Sequence, residues 1–162
     1  MPSLLTRLLK TGRWPSYMIF FVTARCNAAC KMCFYKQNMD SNAAKDELTL
    51  DEYEKIARRI PLINVLGISG GEPFLRADLH HIIEILYRHC SPAVVDLPTN
   101  AFFPDRVVSQ VEKIARACPD MIVDTQLSID GPPEIHDGIR GLKDGFQKVR
   151  ETYRMLVPLK KR

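Results

Sequence analysis

The stretch YMIFFVTARCNAACKMCFY, residues 17–35, runs from an apolar segment of strand length straight into three cysteines, Cys26, Cys30 and Cys33, within eight positions. Cysteines four and seven positions apart also share one face of an α-helix, where a free thiol packs as a small hydrophobe. Asn27, Lys31 and the interleaved alanines do not continue a helical apolar pattern, and they follow a strand end. The spacing therefore predicts a loop. Three thiolates on one short loop can reach three corners of an iron–sulfur cube and leave the fourth open. Zinc is the rival ligand, but its structural sites want four donors, commonly as two separated pairs. The remaining cysteines, Cys90 and Cys118, fall near the predicted C-terminal ends of helices, at the opposite end of the fold, and read as packing residues.

Outward from this loop, apolar runs of strand length alternate with stretches of helical period, the pattern of βα units feeding a parallel sheet. Strands are predicted near Met18–Thr23, Val65–Ser69, Ala93–Leu97 and Ile122–Ile129. Between them, TLDEYEKIARRI opens with Thr49 and Glu52 at capping-box spacing and lines Tyr53, Ile56, Ala57 and Ile60 on one face. ADLHHIIEILYRHC, PDRVVSQVEKIARAC and GFQKVRETYRMLV repeat the amphipathic design. The segment KQNMDSNAAKDE is polar and loop-like. The expected fold is α/β, a partial (β/α) barrel of about four βα units around a parallel sheet. Its core domain spans residues 18–162, and residues 1–17 form an N-terminal extension. Within the extension, residues 3–10 read as a docking helix over one end of the fold, with a membrane-surface helix as the alternative. A chain stopping after the fourth helix cannot close a barrel by itself, so the sequence reads as part of a longer protein or as an open half-barrel that needs a partner.

Bulk composition narrows the field without naming a function. The 162 residues are 46% apolar and 26% charged, a globular make-up. The net charge of +4 is spread along the chain, with only KKR at the C-terminus as a block, so nucleic acid is not an expected partner. The longest apolar run, Tyr17–Val22, is far below the roughly 20 residues of a bilayer span. Five cysteines cannot all pair within the chain and no secretory signal precedes them, which points to a reducing cytoplasm.

Ligands of parallel α/β folds lie at the carboxyl ends of the strands. The four predicted strands end in the cysteine cluster, in SGGEP (Ser69–Pro73), in PTNA (Pro98–Ala101) and in SIDGP (Ser128–Pro132). Taken singly, the last three have ordinary readings as turns and caps. Together they place Gly70, Gly71 and the carboxylate of Glu72 at one mouth with the thiols. HDGIRG adds Arg140, a cation suited to a carboxylate, and His136 and Asp137 as loop residues able to cap the next helix.

CNAACKMC, GGEP and LSIDGPPEIHDGIRG together resemble the radical S-adenosylmethionine (SAM) superfamily, and most of all the branch of peptide-maturing and sulfatase-maturing enzymes with SPASM-type C-terminal extensions. The resemblance covers about residues 18–150. It implies a [4Fe–4S] cluster on Cys26, Cys30 and Cys33, with SAM on the open iron. It further implies Gly70, Gly71 and Glu72 at the amino group of SAM, Ser128 and Arg140 at its methionyl end, and Met32 against the adenine, where the family often has an aromatic residue. No residue of this chain is assigned as a catalytic acid, base or nucleophile. The implied reaction is reductive cleavage of SAM to a 5′-deoxyadenosyl radical, which takes a hydrogen atom from a peptide or a cofactor precursor. It needs a reductant such as flavodoxin or ferredoxin. The molybdopterin-precursor cyclases are similar over the same motifs, but they carry a basic residue for the nucleotide triphosphate where this chain has Gly67, which argues against GTP. The alternative is a non-catalytic iron–sulfur or zinc-binding electron-transfer module.

Overall fold

The computed structural model describes residues 15–39 and 43–160. Strands β1 (Tyr17–Thr23), β2 (Val65–Gly70), β3 (Val94–Thr99) and β4 (Ile122–Leu127) form one sheet in that order, every neighbouring pair parallel. Parallel neighbours that follow one another in sequence require a crossover each time, and helices fill the crossovers. The described residues form α1 (Leu50–Ala57), α2 (Leu79–Cys90), α3 (Pro104–Ala117), α4 (Pro133–Arg140) and α5 (Gly145–Leu156). The result is a partial (β/α) barrel. The docking helix expected at residues 3–10 lies outside the described residues.

Local chemistry sets the element ends. The capping box of α1 closes in both directions: Glu52 N donates to Thr49 Oγ1 and Thr49 N donates to Glu52 Oε2, at 3.3 and 2.8 Å. Pro104 opens α3, where the missing N–H is one of the helix's unpaired donors in any case. Helix α4 differs from the expectation, since HDGIRG predicts His136 and Asp137 on a loop and both lie in the helix. Pro133 starts that helix and Gly141, at φ +65°, ends it. Eight residues give little periodic signal. Asp137 does cap the next helix, with Oδ1 accepting from Phe146 N at 2.8 Å.

The sheet buries one face. Leu66, Ile68, Val95 and Leu97 meet Leu79, Ile82, Ile83 and Leu86 of α2 and Val107 and Ile114 of α3, all fully buried. Each such side chain contributes about 1.5–3 kcal/mol. Arg76, at 4% exposure, fastens three segments at the carboxyl end of this layer. It donates to Val22 O at 3.0 Å, to Leu48 O at 2.9 Å and to the Asp78 carboxylate at 2.8 Å.

The other face stays open: Tyr17, Ile19 and Phe21 on β1 are each nearly half exposed. Register aligns Ile19, Gly67, Asp96 and Asp124 across it in one row, and Tyr17, Val65, Val94 and Ile122 in another. Among the described residues no helix is long and apolar enough to cross a membrane.

All five cysteines are free. Cys90 and Cys118 lie in the core as expected, where burial pushes their thiols up to about 11 and about 12. Both are therefore protonated at neutral pH. In native protein at pH 7.5, iodoacetamide followed by mass spectrometry should leave Cys90 and Cys118 unmodified, and both should react once the chain is unfolded in guanidinium.

Candidate functional site

Residues 24–35 contain no helix, so the three cysteines are not a stripe on a helical face. Their loop is docked on the C-terminus of α4. Ala29 N donates to Arg140 O at 2.9 Å and Lys31 N to Ile139 O at 3.0 Å, supplying donors to carbonyls that a helix end leaves unpaired. Cys26, Cys33 and Phe102 pack on Ala28, Cys30 and Leu142, a small apolar cluster separate from the main core. Two of the sulfurs accept hydrogen bonds: Ala28 N reaches Cys26 Sγ at 3.4 Å and Arg140 Nη1 reaches Cys30 Sγ at 3.7 Å. Burial pushes the Cys26 thiol up, the Ala28 amide opposes this, and the charges of Glu72, Cys30 and Cys33 add to the rise.

Three free thiols on one loop are a donor set of the soft kind that iron–sulfur clusters use. Among the described residues, no three Cys, His, Asp or Glu side chains converge as one metal ion requires. A tetrahedral zinc with bonds of about 2.3 Å demands sulfurs much closer together than the corners of an iron–sulfur cube do. The side-chain nitrogen of Asn27, next to Cys26, is a buried donor with no protein partner, as expected beside a bound group.

Gly70 and Gly71 bring the end of β2 against the start of the cysteine loop. Gly71 N donates to Thr23 O at 2.7 Å and Glu72 N to Arg25 O at 2.8 Å. A Cβ at Gly70 would overlap the carbonyl oxygen of Thr23, and one at Gly71 that of Arg25. Gly70 also sits at φ +119°. The sequence suggested a close approach to a ligand, whereas the approach seen here is of one loop backbone to the other.

Glu72 is 3% exposed and ties β2 to β3. Its Oε1 accepts from Thr99 Oγ1 at 2.8 Å and Phe74 N at 3.2 Å, and its Oε2 from Asn100 N at 2.8 Å. Burial pushes its carboxyl up, against the pull of those donors and of Arg140. Asn100 also donates from Nδ2 to Asn27 Oδ1 at 2.9 Å, so the end of β3 is bound to the cysteine loop as well.

Of the other expected residues, Ser128 is half-buried just beyond β4, its N–H donating to Thr99 O at 3.1 Å. Met32 is 55% exposed on the cysteine loop. Arg140 turns its guanidinium to Asp130 and Cys30. The residues that sequence reasoning missed are Asn27, Asn100 and Asp130. PTNA and SIDGP were the available signals, but nothing in them says which neighbour each side chain will meet. Arg25 and Glu47, paired at 2.8 Å, were likewise unmarked, and they pin the entry of the cysteine loop to the segment before α1.

Comparison with known proteins bears on this arrangement. The Radical SAM superfamily profile matches residues 20–160. The chain belongs to the radical SAM superfamily. Members of this superfamily use a [4Fe–4S] cluster and SAM. Among curated relatives, molybdenum cofactor biosynthesis protein 1 of Bos taurus is 26% identical over 150 residues, covering 91% of this chain and 23% of the relative. The Homo sapiens protein of the same name gives the same identity and coverage. The GTP 3′,8-cyclase of Brucella ovis is 32% identical over 87 residues, covering 52% of this chain and 25% of the relative. The chain thus spans about a quarter of the length of these relatives. The first two are named for molybdenum cofactor biosynthesis and the third for GTP cyclisation, and none is named for peptide or sulfatase maturation.

Gly70→Ala should combine backbone strain with the clash at Thr23 and cost more than about 1 kcal/mol. Hydrogen exchange should show faster exchange at the amides of residues 24–33 in this variant, with α3 protected as in the parent.

Proposed function

We propose that Cys26, Cys30 and Cys33 hold a [4Fe–4S] cluster at the carboxyl end of the sheet, and that the chain is the SAM-cleaving part of a radical SAM enzyme. One observation carries this reading: the three thiols share a single apolar cluster on a loop fastened to GGE, to Asn100 and to the end of α4. A simple cluster carrier has no need of that rim. Gly70, Gly71 and Glu72 are the segment we assign to the amino group of SAM, with Ser128 at the methionyl end and Met32 over the adenine. Since Glu72 already holds three protein donors, its contribution is to fix the backbone of that rim. When bound, the cluster supplies the electron that would cleave the S–C5′ bond of the SAM sulfonium to methionine and a 5′-deoxyadenosyl radical. This chain's residues keep the thiols together and wall one side of the site. A reductant such as flavodoxin or ferredoxin would deliver the electron, and the free thiols suit a reducing cytoplasm.

For the substrate we infer a peptide or a cofactor precursor without a triphosphate facing the sheet. The name molybdenum cofactor biosynthesis protein 1 favours a cofactor precursor, and the name GTP 3′,8-cyclase points to GTP. The open face argues against GTP itself: the row of Ile19, Gly67, Asp96 and Asp124 offers two carboxylates and no cation. Two carboxylates repel a polyanion and suit a neutral or cationic group.

Anaerobic reconstitution with iron and sulfide should yield about four irons per chain and a broad band near roughly 400 nm. Addition of SAM should change the electron paramagnetic resonance (EPR) spectrum of the reduced cluster, and the full-length enzyme with dithionite should release 5′-deoxyadenosine. Cys30→Ala should lose the cluster. Stoichiometric zinc without iron uptake would replace this reading with that of a zinc module.

A further inference from the structure

Arg140 lies far in sequence from the thiols, yet its guanidinium has partners at all three nitrogens. Nε and Nη2 hold the two carboxylate oxygens of Asp130, and Nη1 points at Cys30 Sγ, 3.7 Å away. The family resemblance implies a place for this cation at the methionyl end of SAM. Its anchorage is two-pronged and partly buried. The Arg140 side chain is only 17% exposed and that of Asp130 19%. Asp130 N donates to Nδ1 of His136 at 3.3 Å, and His136 is itself 1% exposed, edge-on to Phe146. The backbone of the same helix end binds Ala29 and Lys31 on either side of Cys30. A fork held on one side by a carboxylate leaves its remaining N–H with a fixed aim.

We infer that Arg140 is a positioning residue that sets the reduction potential of the proposed cluster through Cys30. The inference rests on the cluster assignment above. The reduced cluster carries one more electron than the oxidised one. A cation and an N–H···S bond at one of the ligands therefore stabilise the reduced form more, and raise the potential. The effect should be sizeable because the contact is half-buried and only weakly screened.

The test is an EPR-monitored redox titration of the reconstituted chain, with iron content measured on the same samples. Arg140→Gln should bind the parent's iron complement. At a fixed solution potential, its ratio of reduced to oxidised cluster should fall about tenfold, equal to a shift of about 59 mV to lower potential for one electron. Arg140→Lys keeps the charge but cannot hold Asp130 as a fork and reach the sulfur as well. It should fall in the same direction by a smaller factor, about threefold.

Either variant, with full iron content and a titration curve superimposed on the parent's, would overturn the inference. Failure of both to load iron while the parent loads it would also overturn it, making Arg140 a structural strut. Failure of the parent to bind iron at all would instead remove the cluster assignment.

Discussion

Two backbones meet where β1 and β2 end, closer than any side chain would allow. The amides of Gly71 and Glu72 donate to the carbonyls of Thr23 and Arg25 at 2.7 and 2.8 Å, and this contact fixes the point from which the cysteine loop departs. If the loops were pushed apart by even one methyl group, Cys26 would start from a different place, Glu72 would lose its position between the strands, and Asn100 would lose its reach to Asn27. Two missing β-carbons thus hold the arrangement together.

Around that contact, the cysteine loop is restrained from every side that the described residues provide. Arg25 and Glu47 hold its entry, GGE its first turn, Asn100 its flank at Asn27, and the end of α4 its middle. A three-cysteine loop without such restraints would sample many sulfur arrangements, and ordering it on cluster binding would be opposed by that lost entropy. Pre-arranged backbone lowers the opposing cost. The same restraints use up most polar groups at the rim. Glu72 and Arg140 therefore serve the architecture of the site before they touch any ligand.

The two faces of the sheet divide the labour. The helix-covered face holds Leu66, Ile68, Val95 and Leu97 in a dry core that keeps the four strand ends level. The open face, with its half-exposed Tyr17, Ile19 and Phe21 and its two aspartates, is apolar and acidic. A radical site needs walls, and under the function we propose this face would supply one of them. Its chemistry, rather than the cysteine loop shared across the superfamily, is where substrate preference would be written.

The sequence alone determined the alternation of strands and helices, because period-two and period-3.6 patterns are local. The capping box at Thr49 and Glu52 could likewise be read directly, since both partners lie within one turn. The three cysteines and GGEP could be read for a similar reason: few other folds place those residue types at such spacings after buried strands. What the polar residues at the strand ends do follows only from how the chain is folded. Glu72 meets Thr99 and Asn100, Asn27 meets Asn100, and Arg140 meets Cys30, 110 positions away in the chain. Side-chain periodicity reports which face a residue occupies and says nothing of which distant loop will lie opposite it. That pairing follows from strand order and register, through which the whole chain acts at once.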